Sequence, residues 1–426
     1  MPLPILARET GPMTIPRGSF FRTLLCASLF SSVLAFAGCA DETESPLFEG
    51  VPRDSAGVQI VQHPLFPEYN APVFQAEYLM EVSDTLPFEA GEFGSVVDAD
   101  VLPNGNLAVL DEFAAEVRVF SRDGNLVVRI GRKGEGPGEL SGNWTLGILP
   151  ISNARLALPD VVNQSIIIFG SDGLHERSIS WDVMEETIPQ WCPLSGDTVM
   201  VLITTQETNS WVKRTLDDRW RDTILVQEAP DEPRSPVDGR IPLFKPQAVW
   251  GVSAQPERLI LSDMMEPNLH LYEEGALQRI IGWQPSLQEI SDEDRDVLLR
   301  VVARSMGDPE GKPETALRYF NPPDRSPVVA DVKVGAGLVM VQRVRPFSEM
   351  DQRILSTIGA TGFGGALWDV FSWTGEYLGI LDFGDNVEVF RLRGDTIVGT
   401  REDAFAVAHP FVARIPGGLT MLSRGR

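Results

Sequence analysis

The segment VRVFSRDGNLVVRI, Val117 to Ile130, is an apolar run ending on an aromatic, then a polar turn closing on glycine, then a second apolar run. Two short strands joined by a turn whose glycine adopts positive φ make a β-hairpin. The unit returns as IIIFGSDGLHERSI (Ile166 to Ile179), LHLYEEGALQRII (Leu269 to Ile281) and WDVFSWTGEYLGIL (Trp368 to Leu381). Phe120, Phe169, Tyr272 and Phe371 close the first runs; Gly124, Gly173, Gly275 and Gly375 close the turns. Three copies follow a strand that ends in aspartate: NLAVLD at Asp111, RLALPD at Asp160 and RLILSD at Asp263. One acid repeated at one place in each unit reads as an Asx turn, because a catalytic set needs different groups in different places.

Spacing sets the blade count. Gly124 and Gly173 are 49 residues apart, and Gly173 and Gly275 are 102 apart, room for two units. The intervening copy is the degenerate TVMVLITTQETNSWVKRTLDDRWRDTILV. Units of about 50 residues with four strands are blades of a β-propeller. Before the first full repeat, GVQIVQHP and FQAEYLMEV are spare strands, available to complete the blade begun by EVFRLRGDTIVGTRED and AFAVAHPFVARI at the other end. The expectation is an all-β, six-bladed propeller over residues 54–426, closed by N-terminal strands pairing with the C-terminal blade. A helical insertion, residues 284–327, separates blades four and five. Within it ISDEDRDVLLRVVARSM has Ser291 placed as an amino cap, with Val297, Leu298, Val301, Val302 and Met306 at helical spacing. Such an apolar stripe must lie on one end of the propeller. The glycine-rich STIGATGFGGALW, Ser356 to Trp368, breaks blade five.

The stretch GRKGEGPGEL, Gly131 to Leu140, could be read as a phosphate cradle, but NWTLGILP after it reads as strand and no GK[ST] ending is present. It is instead a crossing from the outer strand of one blade to the inner strand of the next. Val96 to Leu140 resembles an NHL-type repeat, and the KGEGPGE ending is similar to that of six-bladed β-propeller lipoproteins of environmental bacteria. The resemblance extends from Asp54 to Ile415 and implies fold and export, with no general activity to transfer.

The amino terminus fits that implication. Arg17 and Arg22 precede LLCASLFSSVLAFA, Leu24 to Ala37, too short to span a bilayer but shaped as a secretory signal. FAGC resembles a lipobox, with Phe36 where leucine is usual, so residues 1–38 are expected to be removed and Cys39 acylated, with residues 39–53 as tether. Translation starts at Met1 or Met13. Ala40, where some bacteria place an inner-membrane retention aspartate, favours the outer membrane of a cell envelope that has one. Cys39 being lipidated, Cys192 is the one cysteine left in the mature chain, so no internal disulfide forms; among apolar neighbours it reads as a small buried hydrophobe.

Charge narrows the partners. Sixty acidic residues against 36 basic ones give −24, which repels nucleic acid. Propellers bind at the axial mouth, and the inner-strand candidates are Asp98, Asp100, Trp191, Trp250 and Asp331, with His409 at the end of the last blade. The three aspartates supply the oxygens that calcium favours, but no dedicated calcium loop accompanies them. No Ser-His-Asp set, HxxxH or HExxH is legible, so neither catalytic residues nor a cofactor is expected. The resulting expectation is a monomeric, lipid-anchored extracytoplasmic module that binds a protein, peptide or glycan. The alternative is a metal-dependent hydrolase or lyase of the lactonase or amidating-lyase type.

Overall fold

A computed structural model describes residues 51–63, 71–82, 93–142, 144–181, 187–205, 207–228, 240–243, 248–254, 257–283, 289–322, 324–335, 337–349, 364–384, 386–405, 407–417 and 419. Cys39, the signal segment, most of the tether and residues 356–363 of the glycine-rich break lie outside them. Five antiparallel blades are continuous in sequence. Blade one is Val96–Val101, Leu107–Asp111, Glu116–Phe120 and Leu126–Ile130. Blade two is Leu149–Ile151, Arg155–Asp160, Ser165–Phe169 and His175–Ser180. The degenerate repeat forms blade three from Thr187–Pro193, Thr198–Thr204, Thr208–Thr215 and Arg221–Glu228. Ala248–Ala254, Glu257–Asp263, Asn268–Glu273 and Ala276–Trp283 make blade four. Val329–Val334, Leu338–Val344, Gly364–Ser372 and Tyr377–Asp382 make blade five.

Blade six closes the ring. Val387–Arg393, Thr396–Glu402 and Ala408–Arg414 are its first three strands, and the N-terminal strand Glu77–Glu81 is its fourth, antiparallel to Ala408–Arg414. Arg401 holds Glu81 with contacts of 2.6 and 2.7 Å, and Tyr78 stacks edge-on against Phe411 at 5.0 Å. Of the two spare segments, both expected to complete blade six, only FQAEYLMEV reaches it, through Glu77–Glu81, while Val73–Gln75 just before that strand runs parallel to Tyr377–Asp382 on the edge of blade five. GVQIVQHP goes elsewhere: Val58–His63 runs parallel to Ala276–Trp283 on the outer edge of blade four, and Val51–Ser55 pairs beyond it. Once Glu77–Glu81 is in place blade six has its four strands, and the preceding chain covers a different open edge. His63 Nε2 meets the Gly375 carbonyl at 2.9 Å, tying this strand to the hairpin turn of blade five.

Period-two alternation explains why the blades stack. In a strand buried on both faces, successive side chains serve opposite neighbours. Leu107 and Val109 pack toward blade six, whereas Ala108 and Leu110 pack toward blade two. Leu156 and Leu158 face blade one, and Ala157 faces blade three. The pattern continues through Val199 and Val201 against Met200 and Leu202, and through Leu259 and Leu261 against Ile260. Val339 and Val341 face blade four while Leu338 and Met340 face blade six, so each neighbouring pair of blades shares an apolar cluster.

The repeated residues do the repeated work. Gly124, Gly173, Gly275 and Gly375 all have positive φ, between 77° and 91°. At each aromatic that precedes them the ladder shifts register, between Val119 and Phe120, Ile168 and Phe169, Leu271 and Tyr272, and Val370 and Phe371. Such a bulge adds local twist to the outer hairpin. Asp111 accepts hydrogen bonds from the amides of Gly94 (2.9 Å), Ser95 (3.1 Å) and Ala114 (3.1 Å). Asp160 accepts from Ser141 N at 2.7 Å and Asn163 N at 2.9 Å. Both aspartates thus make an Asx turn and also clamp the chain arriving at an inner strand. Asp263 caps Met265 N alone among described amides, at 2.8 Å.

GRKGEGPGEL crosses from blade one to blade two as a self-satisfied loop. Glu139 folds back to accept from Gly136 N at 2.8 Å and pairs with Arg132, and the Gly136 amide bond, with help from Arg132, holds its carboxyl below the usual range. A carboxylate of the chain occupies the place a phosphate would need.

The insertion carries helices α1 (Asp292–Ser305) and α2 (Pro313–Leu317). Ser291 caps α1 by accepting from Asp294 N at 3.0 Å. Leu298 and Val301 pack on Ile290 and Phe347, while Leu299 and Ala303 meet Ala316. Met306, expected on the apolar stripe, is 39% exposed, because the helix ends at Ser305. Among the described residues no helix is long and apolar enough to cross a membrane.

The clamp makes a stability prediction. Asp111→Ala takes the acceptor from the Gly94, Ser95 and Ala114 amides and one carboxylate partner from Arg118, which keeps Glu116, and should cost about 3 kcal/mol. Asp263→Ala, removing a single Asx bond, should cost about 1 kcal/mol. Chemical denaturation of the two variants checks the ordering.

Candidate functional site: the axial cavity

The inner strands surround a cavity of about 1090 Å³ along the propeller axis. Blades one, three, four, five and six lend residues to its wall, from Val97 and Asp98 in blade one to the 387–393 strand in blade six, and Leu146, on the chain entering blade two, completes it. Blades three and four contribute Trp191, Cys192, Trp250 and Val252 to the lining, and blades five and six contribute the charged Asp331, Lys333, Glu388, Arg391 and Arg393. Gln342, Arg345 and Gly364 bring the second and third strands of blade five to the same wall. Val344, next to Arg345, packs in the cluster that seats α1, so the insertion lies beside this part of the rim.

Asp98 and Asp100 were expected as free axial oxygens, and the structure gives them a different occupation. Arg391 Nη2 donates to Asp98 Oδ2 at 2.6 Å, and Arg393 Nε donates to Asp100 Oδ1 at 2.6 Å while its Nη2 reaches Oδ2. Asp98 also accepts from Ile148 N at 2.8 Å and Ala99 N at 2.9 Å. Both carboxylates are buried, and only Asp98 reaches the cavity wall. The two pairs join blade one to blade six, because residues two apart on each inner strand project to the same side of the sheet. Burial pushes the Asp98 carboxyl up, opposed by Arg391 and the Ile148 amide. Burial would likewise lower Arg391 and Arg393, but the two aspartates hold both guanidinium groups above their ordinary value.

Trp191 and Trp250 line the cavity and are nearly buried, each packed edge-on against another indole: Trp181 at 5.3 Å and Trp211 at 6.5 Å. Neither indole N–H has a hydrogen-bond partner among the described residues. Asp331 is in the wall and pairs with Lys333 at 2.6 Å. His409 is not in the wall: it sits in the third strand of blade six, with Nδ1 at 3.4 Å from the Val82 carbonyl and Nε2 at 3.4 Å from Asp403. Burial pushes the Cys192 thiol up, consistent with an inert side chain. Among the described residues no three His, Cys, Asp or Glu side chains are grouped to hold a metal ion.

Glu388 is the residue that inspection of the sequence missed. Its side chain is open to the cavity, yet inner strands surround it. Burial, with Asp331, Asp98 and Glu402 nearby, pushes its carboxyl from 4.5 up to about 7 against the pull of Lys333. A signal for the charged pairs did exist: VVDADV and VFRLR carry opposite charges at the same two-residue spacing on two inner strands.

No family model matches the chain, and no curated protein matches it. Among solved structures it is similar to a protein of Bacteroides fragilis NCTC 9343 described only as exported, at 10% identity and TM-score 0.47, covering 84% of this chain and 99% of that one. A member of the DUF4221 family from Bacteroides vulgatus is similar at 10% identity and TM-score 0.47, covering 81% and 96%. Virginiamycin B lyase of Staphylococcus aureus is similar at 11% identity and TM-score 0.37, covering 78% and 83%. These likenesses carry no activity to this chain; the six-bladed architecture rests on the strand pairing itself.

Two measurements test the wall. Asp100→Leu should destabilise the protein by about 3–5 kcal/mol by stranding a buried guanidinium, and the double variant Asp100→Leu/Arg393→Met should recover most of that loss. For Glu388 the folded state holds its proton more tightly than the unfolded chain. Its contribution is therefore fully present below pH 4.5 and is lost as pH rises to about 7. The melting temperature of Glu388→Gln relative to wild type should climb across that window and then level off; a difference independent of pH would remove the assignment.

Proposed function

We propose that this chain is a lipid-anchored, extracytoplasmic propeller that binds a ligand in its axial cavity, as a recognition or scaffold module for a protein, peptide or glycan. The observation carrying this reading is the cavity: about 1090 Å³, mixed in polarity, with two tryptophans and charges of both signs in its lining. Ligand sites have this size and this blend of apolar surface with a few placed polar groups. The basic flank, short apolar run and FAGC exit support export and acylation at Cys39. Nothing specific favours the metal-dependent hydrolase or lyase alternative, since Asp98 and Asp100 are committed to Arg391 and Arg393.

Trp191 and Trp250 report on the cavity directly. Protein beginning after the tether, screened against peptides and oligosaccharides, should show ligand-dependent tryptophan fluorescence that Val252→Trp, which fills the cavity, abolishes. Ligands that still bind the filled variant would place recognition elsewhere. In cells, Cys39→Ala should move the protein from the membrane to the soluble fraction, since acyl chains contribute about 0.8 kcal/mol per buried methylene; unchanged retention would refute the anchor.

A further inference from the structure

The wall charges do not all cancel. Asp98 pairs with Arg391, Asp331 with Lys333, and Arg393 with Asp100 behind the wall. Glu388, on the inner strand of blade six, is outside these pairs: no hydrogen bond or salt bridge reaches its carboxylate among the described residues. The charged groups facing it are Lys333 and Asp331 on the inner strand of blade five, Asp98 on that of blade one and Glu402 on the second strand of its own blade. With Asp98 held by Arg391 and Asp331 by Lys333, Glu388 and Glu402 are the carboxylates of this group that no salt bridge among the described residues compensates, and they leave the local potential negative. Arg345, elsewhere on the wall, makes no salt bridge with Glu388.

A second observation comes from Thr400. It stands directly opposite Glu388 in the strand ladder, lines the cavity, is 5% exposed, and its hydroxyl has no hydrogen-bond partner among the described residues. A buried hydroxyl without a partner beside an uncompensated carboxylate is an incomplete polar group. We infer that the axial cavity takes a ligand bearing an alkylammonium group, such as a lysine side chain of a peptide, seated on Glu388 with the Thr400 hydroxyl as a further acceptor. The inference rests on the cavity being the binding site.

Charge decides among the ligand classes. A neutral sugar entering the cavity would strip water from Glu388 and return no counter-charge, and an anion would add to the repulsion. An ammonium supplies both the charge and the N–H donors that the carboxylate and hydroxyl lack. Because the Glu388 carboxyl is pushed up to about 7, a proton competes with the ammonium for this place.

The test is calorimetry on protein beginning after the tether with three probes: N-acetyl-lysine amide, its uncharged isostere N-acetyl-norleucine amide, and N-acetyl-glutamate amide. The lysine probe should bind most tightly, about tenfold more so near pH 8 than near pH 6, with proton release at pH 7. Glu388→Gln should remove both the pH dependence and the preference for lysine over norleucine, and Thr400→Val should weaken lysine binding while keeping the pH dependence. Equal binding of lysine and norleucine probes, or preference for glutamate, with either lost in Val252→Trp, would overturn this inference and leave the cavity as a binding site. Binding that Val252→Trp does not affect would overturn both.

Discussion

Two arginine–aspartate pairs at the axis, Arg391 with Asp98 and Arg393 with Asp100, join the last inner strand of the ring to the first. Their partners lie 293 residues apart in the chain, yet each pair meets at hydrogen-bonding distance. Buried ion pairs add little net stability, since desolvation offsets most of their attraction, but they strongly disfavour any arrangement that leaves one member alone. Sliding blade six along blade one would pull both arginines off both aspartates and leave buried charges unpaired. The seam therefore fixes how the last blade sits against the first, while the strand Glu77–Glu81 supplies the hydrogen-bonded register of closure at the outer edge. The axial cavity depends on both.

Away from the seam the ring is built from one repeated solution. Alternating side chains serve two neighbours at once, so a blade is stable only when both are present. The glycine turn, the aromatic at the bulge and the terminal aspartate recur because each solves a backbone problem that every blade poses. Blade three keeps the packing without the full motif: Trp211 is fully buried where blades three and four meet. Tolerance of the α1–α2 insertion follows from its position between blades, where it disturbs no ladder.

Features governed by neighbours in the chain were legible in the sequence. Gly124 and its counterparts, the Asx turns of Asp111 and Asp160, and the Ser291 cap all act within a few residues of themselves, whereas the clamps that Asp111 and Asp160 place on Gly94, Ser95 and Ser141 reach 16 to 19 residues back. The number of blades followed from their spacing. Features governed by distant partners were not legible. Parallel pairing of Val58–His63 with blade four has no local signature, because any apolar alternating strand can cover an open edge. Asp98 and Asp100 looked like free ligands because their arginines are at the other end of the chain. His409 sits in the third strand of blade six, two strands out from the inner strand, near the Val82 carbonyl rather than the axis. Glu388 had nothing to mark it, since its raised carboxyl comes from burial among the inner strands and from carboxylates on three other strands.

Closure by the chain ends is tested most directly by comparing two N-terminal truncations in thermal unfolding. Removing residues through 70 takes away the edge strands on blade four and should leave a single cooperative transition at a somewhat lower temperature. Removing residues through 82 takes the fourth strand from blade six, exposes the edge of Ala408–Arg414 and should abolish the cooperative transition. A chain lacking residues through 82 that still melts in one sharp transition, as the shorter truncation does, would contradict the account.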